Sequence, residues 1–283
     1  MRAAALLGVV AVVAVAGFAG AAWLTRDDAP QPPPPPTEEP LQRLRIIFPE
    51  GFTIVEMGDR VAAVRRIAID RRGVTPRLTR AGYLRAVEQA VPPPRFRKDA
   101  KTGSMEGFLF PALYEFTQET APRELVADQL EAFRRRFATV DLSYARSKNL
   151  TPYDVLIIAS MIEKETAVAA ERRIVSAVIY NRLRNRMPLG IDATIRYGLD
   201  IPGTESLTKA ALATDSPYNT RLRTGLPPTP IANPGLASIR AAANPARVDY
   251  LYYVRKPGSL RHYFTADETD FLRKVCDFGY ACD

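Results

Sequence analysis

An uncharged apolar run near the N-terminus is the feature that most restricts how this chain can fold. Residues 3–24 contain no charged side chain. A helix of that length spans about 33 Å, enough to cross a hydrocarbon core of about 30 Å. Trp23 lies at the end of the run, where an interfacial aromatic side chain is expected. We therefore interpret residues 1–25 as a transmembrane anchor.

A cleaved signal peptide is the alternative, because Ala19-Gly20-Ala21 resembles a cleavage site. The apolar regions of signal peptides usually contain about 7–15 residues, so the length favours a retained anchor. Either interpretation exports the rest of the chain, and we expect a single-pass protein of the cell membrane whose folded part is extracytoplasmic. Cys276 and Cys282 would then lie in an oxidising compartment, where a disulfide across their short loop is feasible.

A proline-rich segment separates the apolar run from the remainder. Residues 32–36 are five consecutive prolines. Such a segment prefers the extended polyproline II conformation and does not pack into a core. We predict that residues 26–42 form a linker that holds the folded part away from the membrane.

Charge and histidine content limit the classes of partner. The net charge is +8, from 39 basic and 31 acidic side chains, but the basic residues are scattered rather than clustered. We therefore expect no nucleic-acid partner. The chain has one histidine, His262, which excludes every zinc motif that needs two. We expect neither a metal nor a cofactor.

The folded part contains two regions with different sequence patterns. In residues 43–98, the alternation from Leu44 to Phe48 predicts a strand, and Thr53 and Thr79 each begin a helical pattern. This strand–helix–helix pattern is that of a small packing module or of a LysM-like carbohydrate-binding module. Residues 99–283 predict a mixed α/β domain, so that the fold class is α+β.

Several elements are predicted within residues 99–283. They are a strand-like run at 104–111, helices at 122–137 and 174–183, a polar loop at 192–198, rigid loops at 216–220 and 225–235, and a hairpin of 250–254 with 261–264. Loops of this kind on a helical scaffold commonly carry binding residues, although plain turn chemistry also explains them.

A helix beginning after Thr151 carries the most informative acids. Thr151 suits the N-cap, and the following run is apolar nearly all round, which predicts burial. It ends in Glu163 and Glu165. Carboxylates at the end of a buried helix are costly unless paired or functional, and burial raises a carboxyl pKa as a general acid requires. The alternative is that the helix emerges into solvent here. Two positions apart, the acids face different directions, and spacing does not choose between them.

Six ordered segments together resemble one family, the YceG-like endolytic murein transglycosylases. The segments are Glu106–Pro111, Ala159–Thr166, Tyr180–Leu183, Asp192–Thr194, Ser216–Thr220 and Thr224–Pro228. Residues 231–235, 250–254 and 262–264 extend the resemblance, which runs from residue 43 to about residue 275. The anchor and the LysM-like segment also resemble that family.

The resemblance implies an activity and a set of site residues. The activity is cleavage of the β-1,4 bond between N-acetylmuramic acid and N-acetylglucosamine within peptidoglycan strands, leaving 1,6-anhydro ends and terminating nascent strands, with peptidoglycan synthases as neighbours. The catalytic acid falls on Glu165. The implied substrate-binding residues are Glu106, Asp192, Thr194, Tyr218, Asn219 and Thr220.

The chain departs from the family at two places. Leu189-Gly190-Ile191 replaces a segment that carries Gln, so a glycan contact from that side chain is missing, and a second His is absent after the last strand. Two other functions remain open. One is a non-catalytic peptidoglycan-binding scaffold, against which the intact Glu165 motif argues. The other is a plain hydrolase, which differs only in its product.

Overall fold

The computed structural model describes residues 41–280. The predicted membrane anchor, nearly all of the linker and Cys282 lie outside the described residues. Within residues 41–280, no helix is both long enough and apolar enough to cross a membrane.

Helices dominate the described part of the chain, with two small antiparallel sheets between them. The elements are β1 (Leu44–Ile47), α1 (Ile54–Arg72), α2 (Arg80–Glu88), β2 (Leu113–Phe116), α3 (Pro122–Ala138), α4 (Ser143–Ser147), α5 (Pro152–Glu165), α6 (Arg172–Arg184), α7 (Asp192–Gly198), α8 (Lys209–Ala213), α9 (Leu236–Ala243), β3 (Tyr252–Arg255), β4 (His262–Thr265) and α10 (Glu268–Asp277), with 3₁₀ turns at Pro94–Phe96 and Ala169–Glu171. The predicted α+β class is confirmed.

The first sheet joins the two predicted parts of the folded region. Strand β1 pairs antiparallel with β2, and Leu44 lies opposite Phe116. Both side chains are buried in one hydrophobic cluster that also contains residues of α5 and α9. The LysM-like assignment of residues 43–98 and the boundary after residue 98 stay predictions.

The prediction of a strand at 104–111 is wrong. These residues form turns, and the strand begins only at Leu113. Gly107 has a φ of 89°, a left-handed conformation that a regular strand does not contain. The side-chain oxygen of Asn233 accepts hydrogen bonds from the N–H groups of Gly107 and Leu109, each at 3.0 Å. An amide side chain thus satisfies backbone groups that a neighbouring strand would otherwise bind.

Helix α5 matches its prediction. The Thr151 hydroxyl accepts a hydrogen bond from the N–H of Asp154, whose carboxylate accepts from the N–H of Thr151, and Pro152 is the first helical residue. Residues 155–162 are all buried. Helices α6 and α9 pack against this helix and cover it. The apolar run therefore forms the centre of the core, and its last turn lies where the core meets the surface.

The predicted hairpin is confirmed, with Tyr253 opposite Phe264 across β3 and β4. The prediction of a polar loop at 192–198 is wrong, since these residues form helix α7. Asp192 places a negative charge in the first turn of α7, which stabilises a helix N-terminus. Thr194 and Ile195 are buried on one side. A seven-residue helix is too short for its periodicity to show in the sequence.

Candidate active site

Glu165 is the last residue of α5 and is partly buried. The hydroxyl of Tyr253 donates a hydrogen bond to Oε2 of Glu165 at 3.0 Å. Desolvation raises the pKa of Glu165 above its ordinary value, and the Tyr253 hydrogen bond opposes that rise with a smaller effect. A carboxyl whose pKa is raised in this way holds its proton closer to neutral pH, as a general acid must.

Glu163 faces away from this position, as the spacing predicted. Its Oε2 accepts a hydrogen bond from the N–H of Gly235 at 3.0 Å, at the N-cap of α9. An anion at a helix N-terminus is stabilised by the unpaired N–H groups there. The structure thus gives Glu163 a local structural partner and turns Glu165 toward the hairpin.

The other carboxylates near Glu165 are bound to basic side chains. Asp192 accepts from Arg221 at 2.7 Å. Glu171 contacts Nδ1 of His262 at 2.8 Å. Asp192 raises the pKa of Glu165 by charge repulsion, whereas His262 lowers it. Glu165 differs from both neighbours because its hydrogen-bonding side-chain partner is a neutral hydroxyl.

Thr194 and Thr220 lie together but are buried beneath the surface. The two hydroxyl oxygens are 2.9 Å apart, and the Thr220 hydroxyl accepts from the N–H of Ile191 at 3.0 Å. The Thr194 hydroxyl donates to the carbonyl of Ile191 at 2.7 Å. These contacts fix the backbone immediately before Asp192. The two threonines therefore shape the turn that presents α7.

Asn219 and Tyr218 also have partners within the protein. Asn219 is fully buried, and its amide donates to the carbonyls of Leu212 and Thr214 at 2.9 Å each. The hydroxyl of Tyr218, which is partly buried, lies 2.8 Å from that of Thr229. Asn219 thus closes its own loop, while Tyr218 keeps part of its ring at the surface.

Glu106 belongs to a separate buried network. Its side chain accepts from the amide of Asn233 at 2.7 Å, from the N–H of Ile54 at 3.2 Å and from the hydroxyl of Tyr197 at 3.4 Å. Glu106 is 2% exposed, and desolvation raises its pKa to about 8. The ring of Tyr197 is 5.2 Å from that of Tyr218. No hydrogen bond among residues 41–280 joins Glu106 to Glu165.

Sequence reasoning does not identify three residues around Glu165. Tyr253 binds its carboxyl, His262 acts on it by charge, and Glu171 binds His262. The alternation along β3 and the uniqueness of His262 were the available signals. Glu171 lies in a short 3₁₀ turn and had no signal in the sequence, because only the fold brings it to His262.

Fold and site define an α+β protein whose candidate reaction centre is the Glu165 carboxyl, at the end of a buried helix and hydrogen-bonded to a tyrosine hydroxyl. The chain belongs to the YceG-like family, whose sequence model matches residues 36–277. The crystal structure of a protein described as YceG-like, from Listeria monocytogenes, is similar with a TM-score of 0.67 and 27% identity, over 81% of this chain and 75% of that one.

Two curated relatives are named endolytic murein transglycosylase. The protein of Bacillus subtilis (strain 168) is 37% identical over 161 residues, which cover 57% of this chain and 44% of that protein. The protein of Streptococcus pneumoniae serotype 2 (strain D39) is 35% identical over 177 residues, which cover 61% of this chain and 32% of that protein. The matched part spans less than half the length of each curated relative.

Proposed function

We propose that this chain is an endolytic lytic transglycosylase that cleaves the β-1,4 bond between N-acetylmuramic acid and N-acetylglucosamine within peptidoglycan strands. The observation that carries the proposal is the state of Glu165. It is the carboxyl at the site that is desolvated, partly accessible and hydrogen-bonded to a neutral side chain. Membership of the family and the names of the curated relatives support the same activity.

One carboxyl is sufficient for this reaction. Protonated Glu165 donates its proton to the glycosidic oxygen as the bond between that oxygen and C1 of the muramic acid breaks. The resulting carboxylate then accepts the proton of the C6 hydroxyl, whose oxygen bonds to C1 and closes the 1,6-anhydro ring. No water is consumed. An inverting hydrolase needs a second carboxylate to activate water, and the nearby Asp192 is instead paired with Arg221.

The remaining predicted residues would form the walls of the glycan cleft. Asp192 and Tyr218 are partly exposed and are the two we propose for direct contact with sugar. The other four predicted residues are buried and would support the cleft wall from inside the protein through the contacts described above. They are Glu106, Thr194, Asn219 and Thr220.

The product of digestion tests the activity. Purified glycan strands are incubated with the full chain, with Glu165→Gln or with Glu163→Gln, and the ends are identified by mass spectrometry. We expect anhydro ends from the parent and from Glu163→Gln, and none from Glu165→Gln. Glu163→Gln is a matched control, because it removes a charge two positions away on the same helix. Reducing ends would instead indicate a hydrolase, and binding without cleavage would indicate a scaffold.

We also propose that residues 3–24 anchor the protein in the cell membrane, with the folded part extracytoplasmic and beside peptidoglycan synthases. The apolar length of residues 3–24 supports this placement. Membrane fractions should retain the full chain and lose a variant that lacks residues 1–40. If the enzyme terminates nascent strands, depletion should lengthen glycan strands, and unchanged length would contradict that role.

A further inference from the structure

We propose that the β3–β4 hairpin supplies the second half of the reaction centre, with Tyr253 as the positioning residue of Glu165 and with His262 and Glu171 as a clamp that fixes Tyr253. The inference rests on the proposed function, since it assigns roles around the same acid. Its test includes a measurement that does not require activity.

Tyr253 controls the orientation of the Glu165 carboxyl. Its hydroxyl donates a hydrogen bond to Oε2 at 3.0 Å. Within residues 41–280, this is the side-chain hydrogen bond that Glu165 receives. Glu165 is the last residue of its helix, where its side chain reaches the hairpin. The Tyr253 hydroxyl and the backbone N–H of Ala193 together restrict the orientation of the carboxyl that exchanges a proton with substrate. Such fixed geometry is a requirement of efficient proton transfer.

Glu171 fixes the neighbour of Tyr253 at two points. Oε2 of Glu171 lies 2.8 Å from Nδ1 of His262, and Oε1 accepts the backbone N–H of His262 at 3.1 Å. Both side chains are 8% exposed. One carboxylate therefore holds both the imidazole ring and the strand that carries it. This is the manner in which a carboxylate orients a histidine at functional sites.

The clamped ring in turn packs against Tyr253. The His262 and Tyr253 rings meet edge to face, with centroids 5.3 Å apart and an interplanar angle of 85°. Residue 253 of β3 lies across the hairpin from Phe264, whose ring centroid is 5.9 Å away. The tyrosine ring is thus bounded by two aromatic rings of β4, and its hydroxyl is directed to Glu165.

Desolvation raises the pKa of Glu165, and the surrounding groups modify that rise. Tyr253 from β3, His262 from β4 and the backbone N–H of Ala193 favour the ionised carboxylate, while Asp192 from α7, paired with Arg221, disfavours it. Arg182 from α6 acts on Tyr253 as a nearby positive charge. Loss of the Tyr253 hydroxyl therefore raises the pKa of Glu165 further, because one donor to the charged form is removed.

The experiment compares two tyrosines of the same hairpin in the full chain. Tyr253→Phe keeps the ring and removes the hydroxyl that contacts Glu165. Tyr263→Phe is the matched control, because it removes a hydroxyl that donates to Asp270 at 2.8 Å. The Glu165 carboxyl is titrated by ¹³C NMR on carboxyl-labelled glutamate, with Glu165→Gln to assign the signal. In parallel, kcat and KM on glycan strands are measured against pH.

For Tyr253→Phe we expect the Glu165 titration to move upward by about one pH unit and kcat to fall by about 10- to 100-fold. KM should change little, since the hydroxyl holds the acid and not the sugar. The alkaline limb of kcat should also move to higher pH, because the acid must be protonated. Tyr263→Phe should match the parent. A merely structural role for Tyr253 would not move the titration.

Two further variants test the clamp. Glu171→Gln and His262→Gln should shift the Glu165 titration in the same direction as Tyr253→Phe, by a smaller amount. Parent-like titration in Tyr253→Phe would overturn the positioning role, and parent-like titration in both clamp variants would overturn the clamp. If the parent fails to cleave glycan, the proposed function fails, whereas the titration still decides whether Tyr253 positions Glu165.

Discussion

The Glu165 position and the Glu106 network each contain a desolvated acid, but they differ in how accessible that acid is from the surface. Desolvation is the main cause of the raised pKa in both. Glu106 accepts from three groups, which belong to Asn233, to Tyr197 and to the first residue of α1, and it is almost inaccessible. Glu165 accepts from the hydroxyl of Tyr253 and from the backbone N–H of Ala193, and it stays partly exposed at the end of α5.

This difference shows that a raised pKa does not by itself identify a catalytic acid. The oxygens of Glu106 are used to tie α1, α7 and the Asn233 loop together, so that its burial serves the fold. Glu165 is partly exposed, so a substrate can reach its carboxyl. Accessibility therefore distinguishes a reacting carboxyl from a structural one.

The largest expected effect is on activity at Glu165. Glu165→Gln should lower glycan cleavage by roughly 10²- to 10⁴-fold, the usual contribution of general acid–base catalysis. Because the amide keeps the shape of the side chain, the free energy of unfolding should change by less than about 1 kcal/mol. Initial rates and urea denaturation measure the two quantities. A loss below tenfold would remove Glu165 as the acid.

The next largest effect is on stability at Glu106. Glu106→Ala should reduce the free energy of unfolding by about 2–4 kcal/mol, because it leaves the amide of Asn233 and the N–H of Ile54 without their acceptor. Chemical denaturation gives the value. Glu115→Ala, at an exposed position of β2, is the control and should cost under about 1 kcal/mol. Equal costs for both would contradict a structural network at Glu106.

Comparison with Glu106→Gln should show how much Glu106 contributes to the pH dependence of stability. Its pKa rises from the ordinary 4.5 to about 8 in the native state. Between those values the native state keeps a proton that the unfolded state has lost, so the free energy of unfolding decreases as pH rises. The contribution of Glu106 to this slope should be at most about 1.4 kcal/mol per pH unit. Glu106→Gln, followed by denaturation from pH 5 to pH 8, should flatten that part of the profile; an unchanged slope would assign it to other groups.

A smaller effect is expected at the turn before α7. Thr220→Val should destabilise the protein by about 1–2 kcal/mol, because the N–H of Ile191 loses its acceptor in a buried position. Thr220→Ser keeps the hydroxyl and should recover most of the loss. Thermal unfolding of the two variants measures the difference. If valine and serine behaved alike, the hydroxyl contacts would be dispensable.

Local patterns predicted much of the fold correctly. The Thr151 cap and the apolar run behind it defined α5, and the alternation around residues 250–264 defined the hairpin. Prediction failed where a distant residue supplied the deciding interaction. Asn233 replaced a partner strand at Gly107, and the turn before Asp192 is held by Thr220. Neither contact is visible from sequence spacing.

The sequence by itself determined a buried helix that ends in two acids facing different directions, because a helical repeat of 3.6 residues separates positions 163 and 165. Only the tertiary structure decided their environments. It placed the N–H of Gly235 against Glu163 and the hydroxyl of Tyr253 against Glu165. The pKa and the orientation of a carboxyl depend on its nearest donors, charges and solvent. Those neighbours come from segments about 70 to 90 residues away in the chain, which only packing brings together.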